Sequence, residues 1–454
     1  MKRLITLLLA AGIVFGATAG QASAVELSAG GNWQFGLSWW DRSFDKHDGQ
    51  DNFYAAQRIR PEFRFKADEK LSATLQLEIG TGHWGNGAFG MGGDATNAIK
   101  FRYGYVDWVV PGVEAKVRMG LQYAQNATYT FANVLDVDVA GVSVNYDFND
   151  NVGLSLAWYR PYNSSINRTH DAVDVFYAAV PVNGDGFGVT PWGMYSTIGK
   201  NALSLLLGGD IDNGDLYGLY GLLPAVIPGV SLTDRGKAWW LGIGGELTLF
   251  DPFTVAADFI YGHADLGSVP AGDLKRSGWL VALQASYKLD WATPGLIAWY
   301  GSGDDSDAAD GSERLPSIFA ESWGTNFGMD GGWFDAASLT LGLSGTWGVG
   351  LRLDDISFIE NLTHSLRATY YQGTNNKAMA GGVGTFVDNA SNIYLTTRDR
   401  AWEFNFENSY QIYKNLTASF ELGYIKLDLD GKVWSTSDLD EKLYKAAVYM
   451  TYKF

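Results

Sequence analysis

Few residues of this chain are placed for covalent or metal chemistry. Its five histidines are scattered and show no metal-ligand spacing on one element: they are His47, His83, His170, His263 and His364. The chain has no cysteine, which excludes thiol nucleophiles and zinc–thiolate sites, and it has no G-x-x-x-x-G-K phosphate loop. Two acidic clusters, Asp304–Glu313 and Asp210–Asp215, lack the ligand spacing of an EF-hand. The sequence therefore predicts no enzyme and no cofactor. The acidic clusters predict solvated charge, with divalent bridging to lipopolysaccharide or between subunits as the alternative.

The residues that could act on a solute are basic side chains that recur at alternate positions. They are Arg58, Arg60, Arg64, Lys66, Lys100, Arg102, Lys116 and Arg118. Alternate residues of a strand share one face, and apolar residues such as Ile59 and Phe63 fill the other. A lysine or arginine that faces lipid costs about 2–4 kcal/mol at the bilayer midplane. If these strands cross a membrane, we expect all eight side chains to turn inward and form one basic wall.

Strands of alternating character recur to the end of the chain, as in Leu71–Ile79, Phe253–Tyr261 and Leu416–Tyr424. The connections between them are alternately short, as at Asp251-Pro252, and long, as at Lys200–Gly236. Outer-membrane barrels have short turns at one end and long loops at the other. The pattern predicts an all-β fold, a transmembrane antiparallel up-and-down β-barrel of 16–18 strands with 18 favoured.

Two details of the strand assignment stay open. Val173–Val182 and Phe187–Ile198 are weak strands because Pro181 and Pro191 cannot donate to a ladder; without them the count is sixteen. In another strand Ile99, Phe101, Tyr103 and Tyr105 are predicted to share the lipid face, and the alternation is predicted to slip at Asp107-Trp108.

The two ends of the chain agree with export to an outer membrane. Met1-Lys2-Arg3, the apolar stretch Leu4–Ala17 and Ala22-Ser23-Ala24 predict a cleaved signal peptide over residues 1–24, which leaves one barrel domain over 25–454. The last strand alternates and ends on Tyr452 and Phe454, which we expect the barrel assembly machinery to read as a signal.

Composition and width then indicate a function. The net charge of −17 becomes −19 when Lys2 and Arg3 are removed, and an acidic chain is unsuited to nucleic acid. A barrel of sixteen or eighteen strands leaves an aqueous channel. We therefore expect passive diffusion of small hydrophilic solutes and inorganic ions, with a mild anion preference from the basic wall. The alternatives are a substrate-selective channel and a soluble secreted β-sandwich binding protein.

Most aromatics fall on the lipid register, and the exceptions are Tyr159, Trp240, Tyr371 and Tyr449.

Three segments carry a resemblance to a known family. Arg102–Gly112 (RYGYVDWVVPG), Val189–Tyr195 (VTPWGMY) and Met1–Gly36 resemble the homotrimeric outer-membrane porins of sulfate-reducing bacteria. The resemblance implies a homotrimer with one pore per subunit, embedded in outer-membrane lipid and lipopolysaccharide. It leaves open whether the loop Trp84–Asn97 reaches into a neighbouring barrel or is solvated.

Analogy with general bacterial porins implies a second feature. There the loop after the fifth strand folds into the barrel, and the loop in that place here is about 124–140. We expect its Asp136 and Asp138 to face the arginines across a constriction, with a solvated loop outside the barrel as the alternative.

Overall fold

A computed structural model describes residues 25–41, 52–85, 99–163, 172–200, 202, 214–224, 235–269, 272–318, 342–383, 393–434 and 441–454. The predicted signal peptide and most of the loop Trp84–Asn97 lie outside these ranges. Among the described residues, no helix is long and apolar enough to span a membrane.

Strands make up most of the described chain. They are β1 Glu26–Asp41, β2 Asn52–Asp68, β3 Leu71–His83, β4 Ile99–Val109, β5 Lys116–Gln125, β6 Asp136–Asp147, β7 Gly153–Asn163, β8 Ala172–Ala179, β9 Val182–Gly184, β10 Phe187–Ile198, β11 Gly236–Phe250, β12 Phe253–Val269, β13 Gly272–Tyr287, β14 Thr293–Gly301, β15 Thr346–Ile359, β16 Leu362–Gly373, β17 Arg400–Tyr413, β18 Leu416–Asp428 and β19 Lys442–Lys453. Short helical segments lie at Gly214–Leu222, Lys377–Met379 and Ala380–Val383.

All of these strands belong to one closed antiparallel sheet. Consecutive strands pair with each other, except that β8 and β9 both pair with β10. β1 also pairs with β19, from Asn32 opposite Lys453 to Asp41 opposite Tyr444. Closure leaves no open sheet edge, so the backbone polar groups bond within the protein, as a membrane requires.

The two doubtful segments are strands, so the barrel has eighteen. Both β8 and β9 pair with β10, so they are two parts of one barrel strand that is interrupted at Val180-Pro181. The Val180 amide donates to the Pro191 carbonyl at 3.0 Å, which keeps the neighbouring strands together where proline has no N–H. The favoured count of eighteen is confirmed.

The barrel has a short-turn end and a long-loop end. The turns at the first end are short, as between β2 and β3 or between β17 and β18. The long-loop end carries the stretches between β5 and β6, β10 and β11, β14 and β15, and β16 and β17. The hairpin of β12 and β13 is the exception, because only residues 270–271 separate two of the longest strands.

The outer face carries exposed apolar and aromatic side chains, among them Trp33, Phe176, Leu241 and Phe404. The four aromatics that break the lipid register, Tyr159, Trp240, Tyr371 and Tyr449, are all buried. Such a distribution suits a barrel with hydrocarbon outside.

Candidate channel and its constriction

The interior is asymmetric, because loops from the long-loop end fold against one part of the inner wall. Buried loop residues such as Leu219, Leu315, Ile318 and Leu395 belong to one hydrophobic cluster with inward-facing strand residues. Buried Trp240 on β11 donates from Nε1 to the Pro316 carbonyl at 2.8 Å. These contacts fill space on the side of β7 to β18.

Arg276 holds two of these loops to the wall. It lies on β13, is 4% exposed, and donates to the carbonyls of Leu315 at 2.9 Å, Leu223 at 3.3 Å and Arg314 at 3.4 Å. A buried guanidinium that donates to three carbonyl groups fixes planar, directional contacts. The loops are therefore anchored to the barrel by polar contacts as well as by packing.

The eight predicted basic residues lie on β2, β4 and β5, and all but Lys66 and Lys100 make a polar side-chain contact within the described residues. Arg58 donates to Gln34 on β1 at 2.7 Å. Carboxylates lie near five others, with nitrogen–oxygen distances of 2.6 Å for Arg60–Glu78, 3.9 Å for Arg64–Glu62, 3.0 Å for Arg102–Asp138, 3.2 Å for Lys116–Asp147 and 2.7 Å for Arg118–Asp107. The wall is therefore a band of alternating charges rather than a purely basic surface.

Lys66 and Lys100 differ from the other six. Within the described residues neither makes an ion pair, and both are exposed. Lys66 lies near the short-turn end of β2 and Lys100 near the long-loop end of β4. Each lies opposite an acidic residue of the neighbouring strand, Lys66 opposite Glu26 and Lys100 opposite Glu78.

A bulge in β4 changes the face of the residues that follow it. Leu77 pairs with Phe101 and Gln76 with Tyr103, so Arg102 is an extra residue in the ladder. Tyr103 and Tyr105 consequently share the face of Gln76 and Thr74, and the Arg118 guanidinium lies 4.0 Å from the Tyr105 ring centroid. The prediction that both tyrosines face lipid was wrong, and the slip is at Arg102 rather than at Asp107-Trp108.

The hairpin of β5 and β6 leaves the barrel wall near the long-loop end. The ladder between β4 and β5 reaches only Gly104–Leu121, and that between β6 and β7 reaches only Gly141–Tyr159. The β5–β6 ladder nevertheless continues to Gln125–Asp136. We call residues 122–140 the tip hairpin; its connecting loop is 126–135, so Asp136 and Asp138 lie at the start of a strand rather than in the loop.

One face of the tip hairpin packs against the inner wall. Its Ala124 and Val139 are buried in the same hydrophobic cluster as Tyr159 and Val175 of β7 and β8. The Ala127 amide donates to the Tyr177 hydroxyl at 2.9 Å. The tip hairpin therefore packs against the inner face of β7 and β8.

Asp258 fixes the loop of the tip hairpin to the far wall. This β12 residue is 3% exposed, and its carboxylate accepts from the Tyr129 amide at 3.0 Å and the Thr130 amide at 2.7 Å. It also accepts from the hydroxyls of Thr128 at 2.9 Å and Thr130 at 2.6 Å. Sequence reasoning missed Asp258; the signal was an aspartate between the apolar inner residues Ala256 and Ile260.

The other face of the tip hairpin meets the charged wall. The carboxylate of Asp138 accepts from Arg102 Nε at 3.0 Å, and Arg102 also donates to Gln76 at 2.9 Å. Gln76 in turn donates to Glu62 at 2.9 Å. Arg102 and Asp138 are thus brought into direct contact, whereas Asp136 is exposed and makes no ion pair with any described residue.

A cavity of about 790 Å³ lies between the tip hairpin and the short-turn end. Polar residues that line it include Ser72, Asp107, Arg118, Ser143, Asn145 and Thr190. A mixed polar lining of this kind suits water and small hydrophilic solutes. The charged wall continues through it, because Arg118 and its partner Asp107 are among the lining residues.

The acidic cluster of the loop after β14 is compact. Carboxylate oxygens of Asp305, Asp310 and Glu313 lie within 4.8 Å of one another. Burial and then the nearby carboxylates raise the pKa of Glu313. Asp304 has a structural role instead, because its buried carboxylate accepts from Ser312 and from Tyr394.

Tyr452 and Phe454 lie on the outer surface, at the seam where β19 pairs with β1. Their rings stack at 5.9 Å between centroids, and both are exposed. Gly31 and Phe454 exchange two backbone hydrogen bonds of 3.0 and 3.1 Å. Their reading by an assembly machinery stays a prediction.

The fold is similar to that of solved outer-membrane proteins of Pseudomonas aeruginosa. The outer-membrane protein OprD is 14% identical, with a TM-score of 0.51 over 94% of this chain and 93% of its own. OpdK, solved with vanillate, is 11% identical, and OccK2 (OpdF), solved with glucuronate, is 13% identical; each gives a TM-score of 0.52 over 94% of this chain and 98% of its own. At this identity the likeness establishes a porin-like barrel fold. No protein-family model and no curated protein matches the chain.

Proposed function

We propose that this chain is an outer-membrane channel for passive diffusion of small hydrophilic solutes. The observation that carries the proposal is the tip hairpin, which lies inside a closed eighteen-strand barrel and bonds to the charged wall through Asp138 and Arg102. A polar wall opposite an inserted hairpin leaves a narrow hydrophilic path. The short-turn end would face the periplasm, and residues 1–24 would be the cleaved export signal.

The narrowed interior favours a solute-selective channel over a general diffusion pore. Anchored loops fill much of one side, so the cross-section is smaller than the barrel width suggests. Small carboxylates are suitable test solutes, because lumen cations such as Lys66, Lys100 and Arg58 could bind them, and because two solved proteins of similar fold carry vanillate or glucuronate. We expect a preference for anions, because eight basic residues line the wall. We expect it to be mild, because five of these residues already have carboxylates nearby.

Reconstitution tests this function directly. Purified protein in planar bilayers should give discrete conductance steps, and proteoliposomes should admit small sugars and carboxylates but exclude larger ones. A folded barrel that produces no conductance would refute the channel. Permeation without discrimination among small solutes of equal size would favour the general pore. Reversal potentials under a salt gradient measure ion preference, and clear cation selectivity would refute the role given to the basic wall.

The homotrimer stays a separate proposal, which rests on the sequence resemblance to trimeric porins. Crosslinking in membranes, or native mass spectrometry in detergent, would count the subunits. A monomer under both conditions would refute it without affecting the proposed channel.

A further inference from the structure

Two departures from strict alternation bring three tyrosines to the lumen. The bulge at Arg102 turns Tyr103 and Tyr105 to the inner face, where their ring centroids lie 6.4 Å apart. Tyr123 continues the outer register of β5, but it lies beyond the point at which that strand leaves the wall. It is opposite Asp138 in the β5–β6 ladder, so it shares the face of the tip hairpin that meets the charged wall. The lumen therefore has aromatic residues that period two alone assigns to lipid.

Tyr123 is accessible to a solute. Its side chain is 46% exposed, whereas Tyr159, Trp240 and Tyr371 on the inner wall are buried under the packed loops. Tyr123 is also among the residues that line the cavity of about 790 Å³. A cavity of that volume is within the range of small-molecule sites. An aromatic ring at its edge offers a flat apolar surface to whatever enters.

The polar groups around this ring are planar and occur in pairs. On the tip hairpin, Gln125 lies opposite Asp136, and both are exposed. On the wall of the cavity, Arg118 donates to the two oxygens of Asp107 at 2.7 and 3.0 Å. Amide, carboxylate and guanidinium groups present their donors and acceptors side by side in fixed directions. They therefore match adjacent hydroxyl groups, each of which both donates and accepts.

The other two tyrosines position the ion pairs. The Arg102 guanidinium lies 4.5 Å from the Tyr103 ring centroid, and that of Arg118 lies 4.0 Å from the Tyr105 ring centroid. A guanidinium over an aromatic face is held there by cation–π attraction. Because one face of each of these rings is already covered, Tyr123 is the ring that a solute contacts.

The charges at this site favour a neutral solute. Arg102 holds Asp138 at 3.0 Å, and Arg118 holds Asp107 at 2.7 Å. A carboxylate solute would have to displace one of these partners and leave an aspartate without its cation. A hydroxyl group instead donates to the carboxylate and accepts from the guanidinium without separating the pair.

We propose that the cavity beside Tyr123 binds neutral sugars of one or two pyranose rings as they pass through the channel. A pyranose has a face of C–H groups, which stacks on an aromatic ring, and hydroxyl groups at its edge, which reach planar polar side chains. Tyr123 supplies the ring, and Gln125, Asp107 and Arg118 supply the polar partners. The inference rests on the proposed channel and adds the class of solute that the channel binds.

Block of the ion current in planar bilayers tests the site. Maltose should reduce the wild-type current in a saturable manner, because a bound sugar excludes ions from the cavity. Tyr123→Ala should raise the half-saturating concentration about tenfold, from the loss of one stacked ring. Tyr123→Phe should keep most of the affinity, because the ring remains. Tyr195→Ala is the matched control and should behave as wild type, since this exposed tyrosine lies on the outer face.

Two further solutes show what is recognised. Sorbitol has the hydroxyl groups of a sugar without the ring, so it should block more weakly than glucose. Sodium glucuronate has the ring of glucose with a carboxylate added, so it should block no better than glucose. Gln125→Ala should weaken the block by maltose roughly three- to tenfold, and it tests the site if Tyr123→Ala does not fold. Wild-type block in folded Tyr123→Ala or Gln125→Ala, equal block by sorbitol and glucose, or stronger block by glucuronate would overturn the assignment.

Failure of the sugar site and failure of the channel give different results. A conducting protein that maltose does not block would refute the site and leave the channel intact. Absence of conductance from every protein would refute the channel, and saturation-transfer NMR of maltose with the detergent-purified protein then measures binding directly. Binding that Tyr123→Ala weakens would support the site, and no binding to wild type would overturn it. Heat-modifiable migration on gels shows that each variant is folded.

Discussion

Removal of the Asp258 carboxylate should release the loop of the tip hairpin. In Asp258→Ala the amides of Tyr129 and Thr130 lose their buried acceptor, whereas the threonine hydroxyls are able to rotate toward other groups. A buried donor without a partner costs about 1–3 kcal/mol, so two cost roughly 2–6 kcal/mol. At about 1.4 kcal/mol per tenfold, the released population rises roughly thirtyfold or more.

Single-channel recording in planar bilayers measures this change. Wild type should show one steady open level, and Asp258→Ala should add current levels and open-channel noise as the loop moves within the lumen. Asp258→Asn keeps the side-chain shape and one acceptor oxygen, so its noise should be intermediate. Thr254→Ala is the control, because Thr254 lies on the inner face of the same strand and makes no hydrogen bond to the described loop.

A quiet, wild-type current from folded Asp258→Ala would refute the assignment of Asp258 as the loop anchor. Heat-modifiable migration on gels checks that the barrel is folded. If Asp258→Ala does not assemble, Thr128→Val with Thr130→Val removes two donors and leaves the carboxylate bonded to both amides. That variant should show a smaller increase in noise, and the absence of any increase would contradict the same reasoning.

Three other substitutions test the wall, the loop packing and the acidic cluster. Asp138→Asn frees an arginine at the constriction, so the reversal potential should shift toward anions while stability falls by less than about 1 kcal/mol; Asp147→Asn, near the short-turn end, should shift it less. A Cβ at Gly278 would clash with backbone atoms of Glu313, Arg314 and Leu315, so Gly278→Ala should lower the free energy of unfolding by about 1–3 kcal/mol. Gly193→Ala, whose Cβ meets nothing closer than 3.4 Å, should be neutral. Burial raises the pKa of Glu313 in the folded protein, so the folded state favours the protonated carboxyl, and stability is lost as pH rises through the folded-state pKa. Glu313→Gln, which stays neutral, should therefore melt at a higher temperature than wild type at pH 7. The difference should vanish near pH 4, where Glu313 is protonated.

Each of these has a result that contradicts it. Equal reversal potentials for the Asp138 and Asp147 variants would mean that the constriction does not determine the ion preference. A wild-type melting temperature for Gly278→Ala would mean that the loop moves aside at no cost. A melting difference for Glu313→Gln that is the same at both pH values would exclude titration as its cause.

The strands could be predicted because hydrocarbon selects every second residue, and this selection is visible in one sequence. Even the two weak strands were real, and their prolines had an identifiable effect. Pro181 marks the interruption between β8 and β9, while the Pro191 carbonyl accepts from Val180. A proline in an alternating segment therefore indicates where the hydrogen-bond ladder is interrupted. It does not indicate that the segment is not a strand.

The bulge at Arg102 left no such trace. A single extra residue exchanges the two faces for everything that follows, and tyrosine suits both a lipid interface and a wet lumen. Tyr103 and Tyr105 therefore fitted either register equally well. The carboxylates beside the basic wall were hidden for a related reason, because Glu78 and Asp107 meet Arg60 and Arg118 only once the register between strands is known.

The position of Asp138 could have been argued from residues rather than from analogy. By period two it shares the face of Val142 and Val144, which is the lipid face of β6. A carboxylate in that register is unfavourable beside hydrocarbon, so the strand must leave either the hydrocarbon or the wall before it reaches Asp138. The structure shows this departure at Gly141, where pairing with β7 ends, and the same turn brings Asp138 to Arg102. Asp174 and Asp428 also continue a lipid register, but they stay in the wall beside Arg160 and Arg400. An acidic residue in that register therefore indicates an inserted hairpin only where the strand also loses its pairing with the next strand, as β6 does at Gly141.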